Sequence, residues 1–350
     1  MRRIAILAEG AFTWRTAKTA TGIIRYGRDQ VVAVIDSTRV GKDVSQALQS
    51  SIGVGIPIVR DIREALGYRP DTLMIGIAPV GGALPVEWRW QLLTAIEAGL
   101  DIISGLHFFI SDDEELRAAA QKRDVMIWDV RRPPEKQRVA TFTPHRPGSH
   151  TVLMVGSDCA VGKMTAALEI DREASRRGFN SAFVATGQTG IMIADNGLPV
   201  DRIISDFVAG MVEEIVIDFS NKHDWIFVEG QGSLNHPGYS TVTLGLIHGS
   251  MPDAMIFCHK AGAKTIEGYE NCPLPSLNRL IEMNEEAVSW LRPDRSSKVV
   301  GLALMTHHLD EQEAREAVKY AEDETGLPAT DVLRFGADVL MDALSRHFAV

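Results

Sequence analysis

Short apolar runs recur along the first 130 residues, each followed by a stretch with helical spacing: IAILA, VVAVI closed by Asp36, TLMIGIA, DIISG and VMIWDV. Runs of this length without polar alternation predict strands buried on both faces of a parallel sheet. Between them VGKDVSQALQS, VEWRWQLLTAIEAG and SDDEELRAAAQKR read as helices, the last opened by a Ser111/Glu114 capping box. Strand alternating with helix predicts a doubly wound α/β domain. Ligands of such sheets sit at the carboxyl ends of strands, which here are Glu9-Gly10, Asp36-Ser37, Ala78 to Gly82 and Ser104 to His107.

The alternation resumes after residue 150. TVLMV, SAFVAT, WIFVEG, AMIFCH and VVGLALMT read as strands, with helices near 164–177, 200–220, 276–291 and 310–325. Between the two series, residues 131–149 (RRPPEKQRVATFTPHRPGS) hold four of the fifteen prolines and little periodicity. That stretch reads as a linker and divides the chain into domains 1–140 and 141–350. A length of 350 residues fits two cores better than one.

Composition narrows the partners. The net charge of −10, without basic runs, argues against nucleic acid, whose binding needs clustered Lys and Arg. Cys159, Cys258 and Cys272 have neither disulfide-framework nor zinc-like spacing, which points to a reducing cytoplasm. The opening MRRIAILAEG has the charged head of a signal peptide, but its five-residue apolar run stops at Glu9-Gly10 and reads as a first strand. No apolar stretch has bilayer-crossing length, so a soluble protein without a membrane partner is expected. A closed homo-oligomer is the expectation for such a protein.

Chemistry concentrates at GSDCAVGKMT, Gly156, Ser157, Asp158, Cys159, Ala160, Val161, Gly162, Lys163, Met164 and Thr165, directly after TVLMV. Gly156 and Gly162 permit backbone angles that turn N–H groups inward around an anion. Lys163 adds a point charge, and the helix after it offers its positive end to the same ligand. A polyphosphate is the expected ligand. Two positions depart from the usual phosphate loop: Ser157 stands where a first glycine is common, and Met164 separates Lys163 from the hydroxyl of Thr165.

Further candidates lie at other strand ends. Glu229 closes WIFVE before the flexible GQGSLNHP and is placed either to organise magnesium with Thr165 or to cap the next turn. His236 and His259 are the histidines whose location suits either acid–base work or a structural role. ATGQTGIM sets Thr186, Gln188 and Thr189 beside the loop, though turn chemistry accounts for its glycines equally well. Cys159 is either a nucleophile or a small loop residue packed under phosphates. His307 and His308 face a nucleotide base or a loop. Arg25, Lys260, Lys264 and Arg334 are candidate cations for an acidic substrate, and Lys18, Thr19, Gly22 and Arg25 open a helix after the first strand.

Taken together, AKTATGIIRYG, VVAVIDS, GLDIISGLH, GSDCAVGKMT, VEGQGSLNHP, FCHKAG and TGLPATDVLRFG resemble the signatures of a family long known as a domain of unknown function, whose best-understood members are D-glutamate N-acetyltransferases. The resemblance spans both domains and implies a Rossmann-like N-terminal domain and a P-loop NTPase-like C-terminal one. It implies acetyl-CoA as co-substrate, its phosphates held by the loop, and an acidic amino acid as acceptor in D-amino-acid catabolism, with Glu229, His236 and His259 as catalytic candidates and Gln188, Thr189, Lys18, Arg25, Lys260 and Arg334 near the substrate. The second domain is also similar to dethiobiotin synthetase, although Met164 stands where that enzyme carries a hydroxyl. That similarity implies an ATP-dependent kinase or ligase using magnesium, and a nucleotide-binding sensor without turnover is a third reading.

Overall fold

The computed structural model describes residues 1–79, 81–293 and 297–350. The chain divides into two compact units, Met1–Pro133 with Ile191–Asp195, and Pro134–Gly190 with Asn196–Val350. Among the described residues no helix is long and apolar enough to cross a membrane.

The first unit is built on β1 (Arg3–Leu7), β2 (Gln30–Ile35), β3 (Ile58–Val59), β4 (Thr72–Ile75), β5 (Asp101–Ser104) and β6 (Ile127–Asp129). They form one parallel sheet in the order β3-β2-β1-β4-β5-β6, the doubly wound arrangement the apolar runs predict. The ends of β1 and β2 are bonded to each other. The carboxylate of Asp36 is fully buried and accepts N–H bonds from Gly10 (3.2 Å), Phe12 (3.1 Å) and Thr38 (3.0 Å). Glu9 accepts from the Ser37 amide at 2.9 Å. Of the Ala78 to Gly82 strand end, Val80 lies outside the described residues.

Three local expectations need correction. The helix Glu114–Arg123 is capped by Asp113, which accepts from the Leu116 N–H, while Ser111 sits in a preceding 3-10 turn and donates its hydroxyl to Asp129. A buried carboxylate on β6 thus outcompetes the local cap. VGKDVSQALQS is helical only over Val44–Leu48, because Gln49 turns left-handed. The region 200–220 is two 3-10 turns followed by the helix Val208–Ser220.

The second unit carries β7 (His150–Gly156), β8 (Ser181–Val184), β9 (Trp225–Val228), β10 (Ala254–Lys260), an antiparallel hairpin of β11 (Thr265–Ile266) and β12 (Tyr269–Pro273), then β13 (Lys298–Met305) and β14 (Ala329–Thr330). The main sheet is again parallel, ordered β14-β13-β10-β7-β9-β8. After β7 the chain runs to the edge, returns through β9, and crosses to the other side at β10, so β7 is flanked by strands reached in opposite directions. Leu153, Val155, Val228, Phe257 and Leu302 pack with Val212, Val216 and Leu246 from the covering helices. Each fully buried aliphatic side chain contributes roughly 1.5–3 kcal/mol, enough for the core to tolerate charged groups withdrawn from water at the strand ends.

The proline-rich stretch is not a free linker along its whole length. From Arg138 it is laid on the helix Val208–Ser220, where buried Glu213 accepts the N–H groups of Thr141 (2.8 Å) and Thr143 (2.5 Å). Gly210 makes this possible: a Cβ there would lie 2.1 Å from the Arg138 carbonyl oxygen. In an ordinary helix interior Gly→Ala stabilises by about 1 kcal/mol. Here we expect Gly210→Ala to lower the melting temperature, because overpacking against backbone costs about 1–3 kcal/mol, and to expose residues 138–143 to limited proteolysis. A variant that melts higher than the wild type would show that the segment is not held in this way.

Candidate active site

β7 lies at the centre of the sheet, and its continuation Ser157 to Gly162 leads straight into the helix Lys163–Arg176. Two residues in the turn are left-handed, Ala160 (φ +53°) and Gly162 (φ +96°). The helix's first internal bond runs from the Ala166 N–H to the Gly162 oxygen at 2.8 Å, which leaves the N–H groups of Lys163, Met164 and Thr165 ahead of the helical ladder. They open towards the carboxyl end of the sheet, as an anion cradle requires.

Not every expected cradle residue offers its amide. The Ser157 N–H is bound to the Cys258 oxygen at 3.1 Å, and the Cys159 N–H to the Asp158 carboxylate at 2.6 Å. Register explains the first: Gly156 pairs with Cys258 on β10, and a Cβ on Gly156 would come within 2.6 Å of that carbonyl. Asp158 also accepts from the Glu267 N–H at 2.7 Å, tying the β11–β12 hairpin to the loop.

Lys163 is buried and curls over the turn to donate to the Asp158 carbonyl oxygen at 2.6 Å. Burial pushes its pKa down, against the pull of the neighbouring Cys258, Cys159, Asp158 and Glu229. Glu229, at the end of adjacent β9, is buried as well. Desolvation lifts its carboxyl to about 7, although the Thr186 and Gly187 N–H bonds (2.9 and 3.1 Å) and the charge of Lys163 oppose the rise. The backbone here is crowded enough to demand glycine. A Cβ on Gly230 would fall 1.6 Å from the Met154 oxygen and 2.9 Å from Lys163 Cδ, and one on Gly190 would fall 2.5 Å from Glu229 Oε2.

ATGQTGIM is therefore more than a turn: it delivers two N–H groups to Glu229 and then forms the helix Gln188–Ala194. Thr189 is buried at its start, and the Thr186 hydroxyl donates to the Glu229 carbonyl at 2.8 Å. Gln231 and Asn235 are missed by sequence reasoning. Gln231 donates to the Thr186 carbonyl (2.6 Å) and Asn235 to the Ser157 carbonyl (3.0 Å), so GQGSLNHP is strapped across the loop. The glycine-rich spacing after Glu229 was their only signal.

The histidines divide by environment. His259 lies beneath the loop with Nδ1 2.8 Å from Ser157 Oγ, and burial lowers its pKa to about 4. His236 is buried, with Nδ1 accepting the N–H groups of Gly238 (3.0 Å) and Tyr239 (3.2 Å). These bonds put the proton of the neutral ring on Nε2, which faces Asp158 Oδ1 at 3.8 Å. Among the described residues, Asp158, Cys159 and His236 bring one donor atom each to within 4.8 Å of one another. A protonated Nε2 has no lone pair for a metal ion, and this trio does not fit one. His308 is held by the Ala261 carbonyl at 3.0 Å, and burial lowers the pKa of its neighbour His307.

The expected substrate cations differ in their settings. Arg334 spends its guanidinium on the carbonyls of Asp310 (3.1 Å), Thr306 (3.2 Å) and Leu309 (2.5 Å) and serves as a clamp between loops. Lys18 and Arg25 belong to the first unit, on the helix Lys18–Tyr26, where Arg25 lies 5.5 Å over the Trp14 ring. Lys260, which ends β10, and Lys264, next to the hairpin, remain on the strand-end side of the second unit.

Known proteins share this architecture. Residues 138–341 match the family described as the domain of unknown function DUF1611_C, a P-loop domain, and residues 37–133 match DUF1611_N, a Rossmann-like domain. The chain is 38% identical over 329 residues to a D-glutamate N-acetyltransferase of Tritonibacter scottomollicae, covering 94% of each chain. It is 35% identical over 280 residues to a protein of the same name from a Pseudoalteromonas species, covering 80% of this chain and 83% of that one. The crystal structure of a DUF1611 family protein from Anabaena variabilis superposes with a TM-score of 0.92 at 40% identity, over 99% of this chain and all of that one. Through both of its domains, and through enzyme relatives that match it nearly end to end, the chain belongs to the DUF1611 family as an N-acetyltransferase.

Proposed function

We propose that this enzyme moves the acetyl group of acetyl-CoA onto the α-amine of D-glutamate. The observation that carries the reading is Glu229, a buried carboxyl raised to about 7 beside a lysine-bearing anion loop, in a chain whose relatives bear that enzyme name. The N–H groups from Lys163 to Thr165 and the Lys163 ammonium receive the carrier's diphosphate. The pantetheine arm folds back over the strand ends and brings the thioester towards Glu229. Lys260 and Lys264 are the second-unit cations assigned to the acceptor's carboxylates, with Gln188 and Thr189 beside them. If magnesium accompanies the phosphates, Glu229 and Thr165 would hold it and it would neutralise phosphate charge.

An ammonium has no lone pair, so Glu229 first takes one proton from the amine and passes it to solvent. The freed nitrogen attacks the thioester carbonyl and forms a tetrahedral intermediate, whose oxyanion is met by nearby N–H groups. Collapse breaks the carbon–sulfur bond, the electron pair stays on the CoA sulfur, and the second nitrogen proton ends on that thiolate. The products are N-acetyl-D-glutamate and free CoA. This reading assigns the enzyme to D-amino-acid catabolism in the cytoplasm, acting on a small molecule as a homo-oligomer.

Incubating the protein with D-glutamate and either acetyl-CoA or magnesium ATP decides the reaction class: thiol release that depends on D-glutamate is expected, and ADP formation without thiol release would overturn it. Lys163→Ala is expected to weaken acetyl-CoA binding about 10–100-fold in calorimetry, the loss of a charge-assisted contact. Unchanged affinity would remove the diphosphate from this loop.

For Glu229→Gln we expect kcat to fall about 10²–10⁴-fold with the fold retained. In the wild type kcat/KM rises with pH through about 7, where Glu229 ionises, and then levels. Stability runs the other way. Between its ordinary value of 4.5 and about 7 the folded protein keeps a proton that the unfolded chain releases, so burial of Glu229 costs stability as pH rises across that window. The melting temperature of Glu229→Gln relative to wild type is therefore expected to rise from pH 5 to pH 8, and a flat difference would refute the buried-acid assignment.

A further inference from the structure

His236 occupies the mouth of the loop without being equipped as a base. Its ring is 3% exposed and held on three sides. Nδ1 accepts two backbone N–H groups, the Tyr239 ring lies 4.7 Å away at 37°, and Tyr269 meets it edge-on at 5.2 Å. The residue before it, Asn235, is fastened to the Ser157 carbonyl. The ring therefore cannot turn over to exchange its nitrogens without losing both N–H bonds. Its Nε2–H is aimed at Asp158, 3.8 Å away and beyond hydrogen-bond reach, and both Asp158 oxygens already accept, one from Cys159 and one from Glu267. At 3.8 Å from Asp158, the Nε2–H is left for an arriving ligand oxygen beside the loop to accept.

We propose that His236 is a hydrogen-bond donor, through Nε2–H, to an anionic phosphate oxygen held in the loop, and not the proton acceptor of the reaction. The inference rests on the reading that this loop receives a diphosphate. The Nε2–H adds directionality while Lys163 supplies the charge. The groups facing it are Asp158 and Cys159 from the loop and the two tyrosines from the following helix and the hairpin. With Asp158 so near, only a donor can draw a phosphate oxygen to this side of the cradle, since an acceptor would add to the carboxylate's repulsion.

The test uses the full-length protein with inorganic pyrophosphate, which carries the diphosphate without the acyl arm. Calorimetry on wild type, His236→Ala and His236→Gln is expected to show about a tenfold or greater loss of affinity for the alanine variant, the usual worth of a hydrogen bond to a charged group. Glutamine, whose amide nitrogen reaches the place of Nε2, is expected to stay within about threefold of wild type. Nitrogen NMR of the ligand-free wild type, which depends on no variant folding, is expected to find the proton of the neutral ring on Nε2. The inference is overturned if the proton sits on Nδ1, if alanine binds pyrophosphate like wild type, if glutamine is as weak as alanine, or if wild type does not bind pyrophosphate. Pyrophosphate binding with the expected variant pattern, but no thiol release from acetyl-CoA with D-glutamate, would leave this inference standing and remove the acetyl-transfer reading alone.

Discussion

Lys163 and Glu229 are withdrawn from water at the carboxyl ends of neighbouring strands, and the rest of the site is arranged around the cost of keeping them there. Burial disfavours the charged form of each, and each charge in turn favours the other. Neither side chain has room unless the backbone beside it gives way. Gly230 lets the chain after β9 run against the Met154 carbonyl and the Lys163 stem, and Gly190 lets the turn after β8 close on the Glu229 carboxylate. A pair held in this state is poised to change protonation when a ligand alters its surroundings. Proton transfer near neutral pH asks for that property, and a surface ion pair does not have it.

The elements around this pair are fastened to one another by side chains bonded to main-chain groups. Asp158 joins the loop to the β11–β12 hairpin through the Glu267 N–H, and Asn235 joins it to the strap after β9. Gln231 joins that strap to the turn carrying Thr186. Each link uses a side chain from one segment and the main chain of another, so position is set without demanding a particular partner residue. A single sequence consequently shows little trace of the network.

Much of the fold was legible because a parallel sheet covered on both faces imposes unbroken apolar runs. IAILA, VVAVI, TVLMV and AMIFCH all fall on strands within a residue or two of their apolar limits. Short or edge elements escaped. β3 and β14 are buried but have two residues each, too few to show a period, and the second strand of the hairpin is largely exposed. The helix Ser240–Ser250 also passed unnoticed, its apolar positions being spread around it and not gathered on one stripe. At the site, the loop and Glu229 were readable because glycine and charge at a strand end are local signals. Arg334 carried the same outward mark as a ligand-binding cation and proved to be a clamp for three carbonyls.

By itself the amino-acid sequence determined the two α/β units, the glycine- and lysine-bearing turn after β7 and the presence of an acid at the end of β9, since each follows from composition and spacing within a few residues. Tertiary structure alone decided which amides of the turn remain open, that Ser157 leans on His259 102 positions away, and that the proline-rich segment is bound by Glu213 some 70 positions further on. Periodicity reports only whether a side chain faces the core. The partner that satisfies a buried polar group is chosen by the folded chain, in which residues far apart along the backbone come within hydrogen-bonding distance.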